Sequence, residues 1–230
     1  MSGDFFCIPI QSICVIIFIT MLKEIRIHGR GGQGVVTLAE LIALSAYYDG
    51  KKVQAFPSFG VERRGAPIES FVRISDHPIT RRDQIINPNY LIILDETLLP
   101  NANIYQGIEK GDMVLVNSCH TSEALNKYFS KCPGVLVKTI DATNIGLKYL
   151  GKPIVNTAVL GAFAAITNLI GFNSLQKALQ ERFSTDILEK NLTMASEAYN
   201  LFSQKKIKPS KSCPVNPIEV YEENKINIIS

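Results

Sequence analysis

A chain of 230 residues, 46% of them hydrophobic, has material for a sizeable core, which excludes global disorder. The formal net charge of +3 is small for this length and gives no basic face of the kind nucleic acid requires. The cysteines at positions 7, 14, 119, 132 and 213 form no C-x-x-C, and His28, His77 and His120 are isolated. Neither a zinc nor an iron–sulfur site is therefore expected within the chain, and the spacings read as reduced thiols of a cytoplasmic protein.

The first twenty residues end in an apolar run, Ile13 to Ile19, that is too short to span a bilayer and lacks the basic flank of a secretory signal. No membrane association is expected. Met21 stands directly before the first clean strand pattern, so residues 1–20 read as an N-terminal extension or a mis-assigned start, against the alternative of one more strand. The body runs from 21 to 205, and 206–230 reads as a Lys- and Pro-rich tail that lies on a surface.

Within the body, "KEIRIH" (23–28) alternates apolar and charged residues and leads into glycines, the pattern of a strand entering a tight turn. "VVTLAELIALSAYY" (35–48) fits a helix packed on a sheet and stops at Asp49-Gly50. "KVQAF" (52–56) and "PIESFVRIS" (67–75) read as strands. "YLIILD" (90–95) and "DMVLVN" (112–117) are continuous apolar runs closed by Asp95 and Asn117, as in parallel strands buried on both faces, and "GVLVKTID" (134–141) fits a further strand. Three helices follow, over 156–170, 173–183 and 185–204, the second with Asn173 as its expected N-cap and the third with Asp186 near its start. The alternation of strand and helix predicts an α/β, Rossmann-like doubly wound domain with a mostly parallel sheet, helices on both faces and a helical C-terminal part.

Gly29-Arg30-Gly31-Gly32-Gln33-Gly34 has the G-x-G-x-x-G spacing of a dinucleotide-binding turn, placed after a strand and before a helix. Glycine lets the backbone approach a phosphate, the helix amino end favours an anion, and Arg30 adds a charge-assisted contact. An NAD site also needs a carboxylate at the end of the second strand to hold the ribose. That strand runs into Pro57, with no acid before Glu62. In its place stands "FPSFGVERRGAPIES" (56–70), a loop with Pro and Gly turns, two phenylalanines and the adjacent Arg63 and Arg64, a composition that suits a contact surface.

"GRGGQG" opening the helix, then "FPSFGVERRGAPIESFVRIS", then "VNTAVLGAFA" together resemble the gamma subunits of the 2-oxoacid:ferredoxin oxidoreductases, with the pyruvate enzymes most similar, over about 21 to 205. The resemblance implies a multi-subunit enzyme, in an anaerobic host, that converts a 2-oxoacid, CoA and oxidised ferredoxin to an acyl-CoA, CO2 and reduced ferredoxin. It implies alpha, beta and delta partners, with thiamine diphosphate, Mg and [4Fe-4S] clusters held by those subunits. Lacking both a cluster pattern and the G-D-G…N motif of thiamine diphosphate binding, this chain is expected to bind no cofactor alone and to hold no catalytic residue. Arg30, Gly31, Gly32, Gln33, Gly34, Arg63 and Arg64 are its candidate contacts to CoA phosphates or to another subunit. The competing reading is a stand-alone NAD(P)- or FAD-dependent oxidoreductase.

Overall fold

A computed structural model describes residues 22–58 and 65–203. The extension 1–20, the tail 206–230 and the loop segment that includes Arg63 and Arg64 lie outside the described residues.

Six strands form one sheet: β1 (Lys23–Arg30), β2 (Lys52–Pro57), β3 (Pro67–Ser75), β4 (Tyr90–Ile93), β5 (Met113–Asn117) and β6 (Leu136–Ile140), in the order β2-β3-β1-β4-β5-β6. β1, β4, β5 and β6 run parallel, as their apolar runs predict. β3 is the exception, antiparallel to both β1 and β2. β3 follows β2 after nine residues and turns back along it, whereas α1 (Val35–Tyr48) carries the crossover that leaves β2 parallel to β1 but one strand removed.

Side-chain alternation divides the core. Ile25, Ile27, Val72, Ile74, Ile92 and Leu115 point to one face, where they meet α1, α3 (Ala142–Leu150), α4 (Asn156–Thr167), α5 (Phe172–Arg182) and α6 (Thr185–Ser203). Leu91, Ile93, Val114 and Val116 point to the other, covered by 3-10 turns at 96–98 and 102–105 and by the short α2 (Ser122–Leu125). Both faces are thus covered, but only one by long helices. α4 is apolar on nearly every side and is buried from Asn156 to Ala164, the expected fate of a helix without a polar face.

The face of β1 and β3 turned away from α1 holds charge. Arg26 is 5% exposed and Arg73 0%. The Arg26 guanidinium donates to the carbonyls of Ile86 at 3.0 Å, Ile104 at 2.8 Å and Gln106 at 2.7 Å. Arg73 donates to the Glu24 carboxylate at 2.8 Å and to the Asp83 carbonyl at 2.8 Å. Both arginines thereby pin the segment 76–89 over this half of the sheet, and their burial is compensated by multiple acceptors.

The amino end of α5 differs from the expected one. α5 is capped at Gly171, not Asn173, because Asp49 reaches over from the end of α1 and accepts from the Gly171 amide at 2.6 Å and from the Ser174 hydroxyl at 2.6 Å. A carboxylate from elsewhere in the fold thus does the work of a local cap. Among the described residues Cys132 is a free thiol.

Candidate functional site

The chain leaves β1 toward β2 on one side, and β4 lies on the other side of β1. This reversal lies beyond the carboxyl ends of β1 and β4, the usual ligand position in open α/β sheets. The glycine turn lies on the β1 side of this position, and Asp95 to Thr97, following β4, on the other.

The turn is tightly braced. Arg30 is the last residue of β1, and its amide donates to the Gln33 side-chain oxygen at 2.7 Å. The Asp95 carboxylate accepts from Arg30 Nε at 3.1 Å, Gln33 Nε2 at 2.8 Å and the Thr97 amide at 3.0 Å. Arg30 also donates to Thr97 Oγ1 at 2.8 Å and to the Gly65 carbonyl at 3.2 Å. Arg30 and Gln33 are thus engaged by the strand end opposite. Asp95 and Thr97 are site residues that sequence reasoning passed over, although an acid closing an apolar strand was a visible signal.

Gly34 caps α1 in the left-handed region, φ 78°, with no capping side chain and no acid in the first turn. A Cβ there would lie 2.8 Å from Asn156 Nδ2, so the first residues of α1 and α4 meet at Gly34. α4 likewise has no acid in its first turn, and only the Asn156 side-chain oxygen takes the Thr157 amide, at 2.9 Å. Two positive helix ends therefore adjoin with little local compensation, which favours an anion. Gly31 donates to the Ala66 carbonyl at 2.9 Å and Gln33 to the Arg30 carbonyl at 3.0 Å. Gly32, at φ 96°, meets none of the described residues within 4 Å where a side chain would stand.

The loop 56–70 joins the same place from its described end. The Gly65 amide donates to the Gly31 carbonyl at 3.2 Å, which extends the β1–β3 ladder into the turn. The three stretches that carry the family resemblance, far apart in sequence, are here brought together through Gly31, Gly34, Gly65 and Asn156. Where Arg63 and Arg64 lie relative to them is outside the described residues.

The sheet order takes β2 away from the turn. β2 is not the neighbour of β1; β3 intervenes. The strand beside the turn does carry an acid, Glu69, which pairs across the ladder with His28 and lies 3.5 Å from its Nδ1. His28 is buried and its pKa is pushed down to about 3, first by burial and then by the Arg26 charge, so the contact joins a neutral imidazole to a carboxylate. Its Nε2 has no hydrogen-bond partner among the described residues.

Next along these strand ends, the Ser118 hydroxyl donates to Glu96, and the His120 amide donates to Ser118 Oγ at 3.0 Å. His120 Nε2 is 4.0 Å from Glu96. Since Ser118 gives its proton to the carboxylate and bonds the backbone of His120, no nucleophile–imidazole pair forms here. Among the described residues no three His, Cys, Asp or Glu side chains converge as metal ligands, and no helix is long and apolar enough to cross a membrane.

The sequence pattern of the pyruvate ferredoxin/flavodoxin oxidoreductase family matches residues 24–201. The chain is 49% identical over 176 residues to pyruvate synthase subunit PorC of Methanothermobacter marburgensis, covering 76% of this chain and 95% of that one. It is 48% identical over 177 residues to the pyruvate/ketoisovalerate oxidoreductases common subunit gamma of Thermococcus kodakarensis, covering 77% of this chain and 95% of that one. The fold matches the crystal structure of pyruvate oxidoreductase subunit PORC from Thermotoga maritima with a TM-score of 0.69 at 31% identity, over 78% of this chain and 96% of that one. It also matches part of a 2-oxoglutarate:ferredoxin oxidoreductase from Magnetococcus marinus, TM-score 0.65 at 19% identity, over 85% of this chain and 32% of the larger one, a likeness of fold alone. With its glycine turn braced against the end of β4, the chain belongs to the pyruvate ferredoxin/flavodoxin oxidoreductase family, as the gamma subunit of a 2-oxoacid:ferredoxin oxidoreductase.

Proposed function

We propose that this subunit serves pyruvate oxidation or synthesis without reacting atoms of its own, and that its glycine turn presents Gly31, Gly32, Gln33 and Gly34 to the phosphates of CoA or to a neighbouring subunit. The observation that carries this reading is the meeting of two helix amino ends at Gly34 and Asn156, with no acid in either first turn. The Arg30–Asp95–Gln33 network supports it by holding the turn in one shape before anything binds, which lowers the ordering cost of binding. In this reading Arg30 shapes the turn, and Arg63 and Arg64 supply positive charge to the same contact. The partners are the alpha, beta and delta subunits, with ferredoxin as acceptor. Thiamine diphosphate, Mg and the [4Fe-4S] clusters reside in those subunits.

Replacing Arg63 and Arg64 together with Ala tests the reading in the assembled enzyme. Truncating a desolvated charge contact costs about 2–5 kcal/mol. A raised KM for CoA in an intact complex identifies a ligand contact, and loss of co-purification at normal CoA dependence identifies a subunit contact. Normal assembly together with normal CoA saturation rejects both.

A further inference from the structure

Among the described residues β2 is an edge of the sheet and pairs with β3 alone. The Ser58 amide donates to the Glu69 carbonyl at 3.0 Å, continuing the register in which Phe56 faces Phe71 and Gln54 faces Arg73. Antiparallel ladders direct the amide and carbonyl of every second residue to the same neighbour. Residues 52, 54 and 56 therefore bond β3, and Val53, Ala55 and Pro57 turn their backbone groups outward. Pro57 has no N–H, so the outward row offers donors at Val53 and Ala55 and loses its donor at Pro57.

A cleft of about 660 Å³ opens along the first half of this edge. Lys52 to Gln54 form its floor, Tyr47 from the last turn of α1 one wall, and Pro78, Ile79 and Arg82 the other. α1 covers one face of the sheet, whereas Arg73 and Arg26 hold the segment 76–89 on the opposite face. The cleft therefore straddles the strand edge between two walls. Lys51 is paired with Asp76 at 2.5 Å and Arg81 with Asp83 at 2.7 Å. Lys52 and Arg82 are exposed and make no ion pair among the described residues.

We propose that an extended, carboxylate-bearing segment of another subunit of the complex adds a strand to β2 in this cleft. The proposal rests on the chain's working as one subunit of an assembly. The amides of Val53 and Ala55 donate to carbonyls of the added strand, and alternate side chains of that strand fall toward Tyr47 on one wall and toward Ile79 and Arg82 on the other. Its carboxylates meet Lys52 and Arg82. A second copy of this chain fits worse: antiparallel self-pairing about Ala55 sets Lys52 of each copy opposite Ser58 of the other, so neither Lys52 gains a carboxylate partner there.

Backbone amide exchange over 52–57, read in the free chain and in the assembled enzyme, tests this directly. Exchange at Val53 and Ala55 is expected to slow at least tenfold on assembly. Ala55→Pro, which removes only an outward donor, and the double variant Lys52→Glu/Arg82→Glu are each expected to leave the melting temperature of the free chain within a few degrees and to lower the yield of co-purified partner several-fold. A photo-crosslinker at position 55 is expected to capture a partner peptide that carries Asp or Glu. Assembly without protection of 52–57 overturns the proposal while the subunit reading stands; a chain that assembles with no partner overturns both. Protection already present in a self-associated free chain, or protection by a low-mass anion alone, also overturns it.

Discussion

His28 shows at the scale of one residue how burial sets a charge. It follows Ile27 on β1, points to the face covered by 76–89, and has Arg26 as its nearest source of positive charge. Desolvation and that charge both oppose protonation, so the folded pKa of about 3 lies below the unfolded value near 6.5. A depressed folded pKa means that the unfolded chain binds the proton first. The stabilising contribution is complete above about pH 6.5 and is lost as pH falls toward 3, at up to about 1.4 kcal/mol per pH unit. Carboxylates held low by ion pairs, such as Asp76 and Asp83, add their own loss only in the more acid range. The interval from pH 7 to 5 therefore isolates the histidine. The urea midpoint of the parent chain is expected to fall across that interval, and His28→Gln to flatten the fall; equal slopes would refute the assignment. The sequence showed His28 as one of three scattered histidines. Its neutrality comes from Arg26 and from the segment laid over both, which no local pattern reveals.

The pairing of α4 with α6 carries the argument at the scale of an element. "NTAVLGAFAA" lies almost wholly inside the molecule, and Gly161 faces the α6 backbone so closely that a Cβ would stand 2.3 Å from the Ala195 carbonyl oxygen. The obstacle is backbone, so no side-chain rotation relieves it. Ala195 and Ala198 keep the facing surface equally thin, while Thr157 donates to Asn191 at 2.7 Å and fixes the register of the two helices. Gly161→Ala would gain about 1 kcal/mol of helix propensity in an open helix. Here separation of the helices dominates, and a net loss of about 1–3 kcal/mol is expected from chemical denaturation. A stabilised variant would mean that the two helices separate easily. The same helix supplies Asn156 to the glycine turn, so a shift of α4 is expected to reach the site as well. The helix itself was legible from its apolar run; the need for glycine was not, because nothing near 161 in the sequence announces that residue 195 lies against it.

For the whole molecule, the decisive property is a glycine turn beside which the described residues assemble no complete reactive group. Ser118 gives its proton to Glu96, no trio of metal ligands converges among the described residues, and Arg30 is paired with Asp95. The purified chain is therefore expected to reduce no viologen dye with pyruvate and CoA, and activity is expected to return only when the remaining subunits are added. Calorimetric titration with NAD(H) should show no saturable binding at physiological concentrations. Turnover by the single chain, or a micromolar dissociation constant for NAD(H), would contradict this reading.

Local pattern was sufficient for most elements. The strand over 67–75 has the bounds read from sequence, the apolar runs that begin "YLII" and "MVLVN" became the central parallel strands, and three C-terminal helices lie where periodicity placed them. The missed α3 had visible punctuation in its Asp141 N-cap and in Gly151 at its end. These features depend on residues within a few positions of one another, through hydrogen-bonding turns, side-chain alternation and backbone freedom at glycine. The rest depended on which surfaces meet. Insertion of β3 between β1 and β2 moved the presumed ribose strand to the sheet edge. Asp49 replaced a local cap for α5, Asp95 claimed Arg30 and Gln33, and two helix amino ends came together at Gly34 and Asn156. Each of these joins residues tens of positions apart or more. Apolar burial drives such elements together without specifying which polar groups will face one another, so only the packed chain decided them.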